Sequence, residues 1–140
     1  MVAHLSALAN FTFPLGGLVL TILIYAARQH DTAPVRENAR NALNMQITLA
    51  LFNAVVIVVA VCLFVALFAT VALASGHQHA AVQPLPWEFL AYMGCFLLLL
   101  AGNGIVAIMG CFGARAAYLG GVFRYPIAIQ FVRAPAAQAL

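Results

Sequence analysis

The chain has no lysine, six arginines and three acids (Asp31, Glu37 and Glu88) in 140 residues. Charged residues make up 6%, where a soluble domain has about a quarter. So few charges cannot build the basic face that nucleic-acid binding needs. They are also too few, and too scattered, for an active site. Asp31 and Glu37 share one polar break while Glu88 opens a different apolar run, and acid–base catalysis needs groups within hydrogen-bond reach. No Ser-His-acid spacing, glycine-rich phosphate loop or CxxC pair is present. The expectation is a protein that is not an enzyme, carries no cofactor and has no nucleic-acid partner. The three cysteines, Cys62, Cys95 and Cys111, all lie in apolar runs, where a thiol packs as a small hydrophobe. Cys95 and Cys111 would be about 24 Å apart along a helix, too far to share one metal.

What the chain has in abundance is apolar surface: 66% of residues are hydrophobic and the mean hydropathy is +1.05. Three apolar runs, at about 4–27, 43–74 and 87–114, meet the length of about 20 residues that a bilayer core requires. Backbone in lipid must be helical or form a closed barrel, and strict alternation is missing. The reading is an all-α integral membrane protein, one membrane domain over 1–140, with three transmembrane helices. The second run would be about 48 Å long if straight, which implies tilt or protrusion. In the first, Pro14 of "FPLGG" predicts a kink. Only about 20 Å of helix would remain after it, so a kinked single crossing is favoured over a re-entrant loop. No Arg or Lys precedes this run, unlike the start of a signal peptide, so the helix is expected to stay in the mature protein.

Arginine placement predicts orientation. Arg28, Arg36 and Arg40 fall in the loop 28–42, and Arg115, Arg124 and Arg133 in the tail 115–140. The loop 75–86 has no Arg or Lys. Since short cytoplasmic segments carry the positive excess, the first loop and the tail read as cytoplasmic. Three crossings then put the N-terminus and the loop 75–86 outside. On that outer side His77 and His79 form an HxH pair, and His4 would lie near the same surface. Three imidazoles there are candidate ligands for Zn or Cu, against the plainer reading of a solvated polar loop.

Within the runs, Asn10, Asn53 and Asn103 and the glycines Gly94, Gly102, Gly104, Gly110 and Gly113 read first as helix-packing devices. Interhelical hydrogen bonds in lipid contribute only about 0.6 kcal/mol on average, and small residues let helices approach closely. The alternative is a polar path lined by the asparagines. In "RENARNALNMQITLALF", Arg36, Glu37, Arg40, Asn41, Asn44 and Thr48 fall on one side of a helix, with Val35, Ala39, Ala42, Leu43 and Ile47 on the other. This is an amphipathic cytoplasmic lead-in to the second helix. Asn38 and Gln46 interrupt its apolar side and are candidates to bond the tail or the first helix. In the tail, Phe123, Tyr125, Ile127, Ile129 and Phe131 alternate, which predicts an extended segment with one apolar edge. An apolar cytoplasmic strip of this kind needs a cover. Arg36, Arg40, Asn41, Asn44, Gln46, Arg124, Tyr125 and Pro126 together form the candidate docking surface.

The stretches "HLSALANFTFPLGG", "ENARNALNMQIT" and "GARAAYLGGVFRYPIAIQFV" resemble a small bacterial membrane-protein family of unknown function, one grouped with the inner-envelope import-channel component of the Tic translocon. The likeness runs in order from His4 to Val132. It implies a compact helical protein of the bacterial cytoplasmic membrane. Three functional expectations stand side by side. The first is an accessory or scaffold subunit whose partners are the bilayer and a membrane protein or a second copy of the chain. The second, implied by the resemblance, is a small channel or translocation component. The third is an outer-face metal carrier.

Overall fold

The computed structural model describes residues 2–11, 15–75 and 87–133. Among these, no strand occurs. The order is helix α1 (Val2–Leu5), a 3-10 segment (Ser6–Phe11), α2 (Gly16–Ala27), α3 (Ala33–Ser75), α4 (Trp87–Tyr118) and a tail without regular structure. Among the described residues, two helices are long and apolar enough to cross a bilayer, Ala33–Leu73 and Trp87–Tyr118. The expectation of three transmembrane helices is corrected to two candidate spans. Helix α3 has 43 residues, so it is about 65 Å long, because the amphipathic lead-in is helical from Ala33 and continuous with the apolar run, as its pattern predicts.

The first apolar run does not form a helix long enough to be a span, for a physical reason. Helix α2 has 12 residues, about 18 Å, well short of a bilayer core of about 30 Å. The residues before it fold back on it instead. Asn10 Oδ1 accepts the backbone N–H of Gly17 at 2.8 Å, which satisfies one of the donors that a helix start leaves open. The Ser6 and Thr21 hydroxyls bond each other, and the hydroxyl proton left over goes to one of the two carbonyls beside them, Ala3 O at 2.7 Å from Ser6 or Gly17 O at 2.6 Å from Thr21. Gly17 allows this approach: a Cβ there would stand 2.7 Å from both Asn10 Oδ1 and Ser6 O. The result is a hairpin with a polar seam and an apolar exterior of Leu15, Val19, Leu20, Ile22 and Leu23.

The chain divides into two compact units, Met1–Leu51 with Gly102–Leu140, and Phe52–Ala101. All six arginines belong to the first. Its core has two clusters: Ala7, Met45, Leu49, Val106 and Tyr125, and Ala3, Ala39 and Ala42 with Ile24 and Tyr25 packed on them. In the second unit Val56 and Cys95 are buried, and the rings of Phe64 and Tyr92 lie 6.1 Å apart. Apolar side chains otherwise dominate its exposed surface, as a lipid-facing helix pair requires. Cys62 and Cys111 are exposed on helix faces, unlike the packed positions expected for all three cysteines.

Candidate functional site

The polar chemistry of the first unit converges on one face of α3, where Asn38, Asn41, Asn44 and Thr48 follow one another at helical spacings of three and four. Each serves the backbone of the tail. Asn38 Nδ2 donates to Gly121 O at 2.9 Å, and its Oδ1 accepts the Phe123 N–H at 3.0 Å. Asn44 does the same with a single residue, donating to Val132 O at 3.0 Å and accepting its N–H at 2.8 Å. Asn41 donates to Phe123 O at 3.0 Å, and the Thr48 hydroxyl accepts the Ile129 N–H at 2.9 Å. A carboxamide presents one donor edge and one acceptor edge, as a peptide group does. These side chains therefore stand in for a neighbouring strand. They supply the pairing that irregular backbone needs where water is scarce.

The tail accordingly departs from the expected alternation. Phe123 and Tyr125 pack inward, with rings 5.0 Å apart and near perpendicular. A turn then closes on Ala128 N–H to Tyr125 O, at 3.3 Å. Ala128 faces the core, whereas Ile127 in the turn and Ile129 and Phe131 beyond it are exposed. Pro126, in the turn, breaks the period of two.

His4 lies at the centre, with 1% of its surface exposed. One ring nitrogen, Nε2, is 3.1 Å from Asn38 Oδ1, and the other, Nδ1, is 2.9 Å from Tyr125 Oη. The Asn38 amide is fixed by its other bonds, including Nδ2 to Pro34 O at 3.0 Å, so its oxygen faces His4. Nε2–H is then the donor to Asn38, and Nδ1 accepts from the Tyr125 hydroxyl. The ring is neutral, and its setting ties the N-terminus, α3 and the tail together. Glycines of α4 make room for it: a Cβ on Gly110 would meet His4 O at 2.5 Å, and one on Gly113 would meet His4 Nδ1 at 2.7 Å.

Burial holds the His4 pKa below its ordinary value, against the opposing pull of the Asn38 bond. For His4 the unfolded chain binds its proton first as pH falls, so stability rises with pH between the lowered folded value and the ordinary value of 6.5. The contribution is complete above 6.5 and is lost as pH drops from there to the lowered value, with a slope of at most about 1.4 kcal/mol per pH unit. Thermal unfolding in detergent is expected to show this loss on acidification, and His4→Phe to flatten it.

The other sequence-predicted residues divide between surface and interior. Arg36 is exposed; Asn41, Asn44, Gln46 and Tyr125 are buried within the chain. Gln46 Oε1 accepts from Asn10 Nδ2 at 3.0 Å. Glu37 Oε1 lies 3.7 Å from Arg40 and 3.0 Å from Arg124. Arg124 is largely exposed in that pair, and exposed pairs contribute about 0–1 kcal/mol. Arg124→Ala should accordingly leave thermal stability almost unchanged, a contrast with the asparagines. His4 does not join an outer metal group, because both of its nitrogens are bonded to Tyr125 and Asn38 at the arginine-bearing end. The N-terminal segment thus lies at the same end as the 28–42 connection and the tail, not opposite them. His77 and His79 fall outside the described residues, and among the described residues no three metal-binding side chains come together. Asn10 serves Gly17 and Gln46, and Asn53 and Asn103 are also engaged.

The family model described as the magnetosome magnetite crystal formation protein family matches residues 1–132. The chain belongs to this family. The match spans the hairpin, both long helices and nearly all of the described tail. It overturns the resemblance to the Tic-associated family and the channel expectation that rested on it. Three short stretches in an apolar chain hold too little information to separate families of small helical membrane proteins. No curated protein and no solved structure matches the chain.

Proposed function

We propose that this chain is a non-catalytic accessory protein of the membrane in which magnetite crystals form, working with other membrane proteins or with further copies of itself. The family match over residues 1–132 carries this reading. The structure adds support. The buried polar side chains of the described residues are engaged within the chain, many of them on its backbone, and no buried side-chain nitrogen or oxygen among them lacks a partner. Their chemistry holds the hairpin and tail on α3 and leaves the surface to lipid and partners. All six arginines belong to the unit that also contains both chain ends. By arginine bias that end reads as cytoplasmic.

The test is deletion in a magnetite-forming host, with crystals sized by electron microscopy. Altered crystal size or number, restored by the native chain but not by Asn38→Ala, supports the reading. Crystals unchanged by deletion refute it.

A further inference from the structure

The tail of this chain is bonded back onto α3. Its backbone is bonded to Asn38 at Gly121 and Phe123, and to Asn41 at Phe123. It reaches Thr48 at Ile129 and returns to Asn44 at Val132. From Asn38 to Thr48 helix α3 rises about 15 Å, and its apolar run, interrupted before Thr70 only by Asn53, begins at the next residue, Leu49. The tail therefore climbs to the edge of the apolar run and turns back. Arg124, bonded to Glu37, marks the way in, and exposed Arg133 marks the way out. Between them no residue is charged, and the one amide, Gln130, borders a small polar recess with Asn41, Asn44 and Arg124. At the top of this excursion Ile127, Ile129 and Phe131 are 56%, 56% and 46% exposed. They continue the lipid-facing surface that α3 opens at Leu51, itself 50% exposed.

We propose that residues 125–132 form a re-entrant segment whose Ile127, Ile129 and Phe131 insert into the acyl chains of one leaflet. The occupant of this apolar strip is lipid. Water would satisfy the backbone of a surface tail without help, whereas here Ile129 and Val132 depend on Thr48 and Asn44, the arrangement that irregular backbone needs at membrane depth. Arginines at either end reach the headgroups, as long cationic side chains do at an interface.

The test uses the full chain in phosphatidylcholine–phosphatidylglycerol vesicles. Trp87→Phe removes the native tryptophan, and Ile129→Trp or Phe131→Trp, made separately, reports on the strip. Both positions are exposed, so the larger ring displaces nothing inside. Quenching by lipids brominated on the acyl chains is expected for both reporters. Quenching by aqueous acrylamide should be weak, and should rise several-fold when Asn44→Ala and Thr48→Val remove the anchors. Strong acrylamide quenching of the anchored protein, without quenching by brominated lipid, would place the strip in water and overturn the proposal. Quenching by neither agent would mean that protein, such as a second copy, covers the strip, and would overturn it equally.

Discussion

Asn38→Ala is expected to loosen the N-terminal segment and the tail together. The amide makes four bonds, to Pro34 O, Gly121 O, Phe123 N–H and His4 Nε2. Its removal leaves Gly121 O, Phe123 N–H and His4 Nε2–H without their partner, and each unsatisfied buried group costs about 1–3 kcal/mol. Gly121 is exposed and can turn to water. The total is therefore expected near the lower end of the sum, roughly 3 kcal/mol. Asn41→Ala is the matched control, since it removes one bond to Phe123 O and should cost about 1 kcal/mol. Thermal unfolding in detergent measures the difference, and trypsin cleavage at Arg124 and Arg133 reports release of the tail. Equal effects of the two substitutions would contradict the four-bond role given to Asn38.

The second large effect is expected at Gly110. A methyl group there would lie 2.5 Å from the backbone oxygen of His4 and 3.7 Å from Ala7 Cβ. A backbone atom cannot rotate away, so the N-terminal segment must shift as a whole. Overpacking of this kind costs about 1–3 kcal/mol, and the shift also pulls His4 from Asn38 and Tyr125. Gly110→Ala should thus lower stability and weaken the pH dependence assigned to His4. On the same helix, a Cβ added at Gly104 would meet nothing within 4 Å. There the same substitution should be neutral or stabilising by up to about 1 kcal/mol, because alanine favours a helix. Destabilisation at Gly104 equal to that at Gly110 would mean that packing against the N-terminus is not what the Gly110 position serves.

Much of this architecture is legible in the sequence, and the exceptions have physical causes. The lengths of α3 and α4 follow from apolar runs that are long by any measure, and Asn38 and Gln46 betray themselves by interrupting an apolar face. The hairpin is hidden because hydropathy does not show direction. Residues 4–27 have the composition of a span, and only the pairing of Ser6 with Thr21 and of Asn10 with Gly17 turns the chain back. The arc Arg36 to Thr48 is recognisable as a polar face, but a sequence does not say whether such a face meets a partner or its own chain. Here Asn41, Asn44 and Thr48 are spent on the tail, and the apolar side carries Ala39 and Ala42 against Ala3. His4 is the residue hardest to foresee. A lone histidine next to an apolar run points to no partner, and its setting depends on two glycines, Gly110 and Gly113, at the far end of the sequence.

With the first apolar run folded back as a hairpin and two candidate spans after it, Val2 and Arg133 are expected on one side of the membrane. Cysteines introduced at Val2 and Arg133, in a chain with Cys62, Cys95 and Cys111 replaced by serine, can be tested with a membrane-impermeant maleimide on sealed right-side-out and inverted vesicles. Labelling of both positions from the same side is the expected result. Labelling from opposite sides would show that residues 4–27 cross the bilayer, and would contradict the two-span fold.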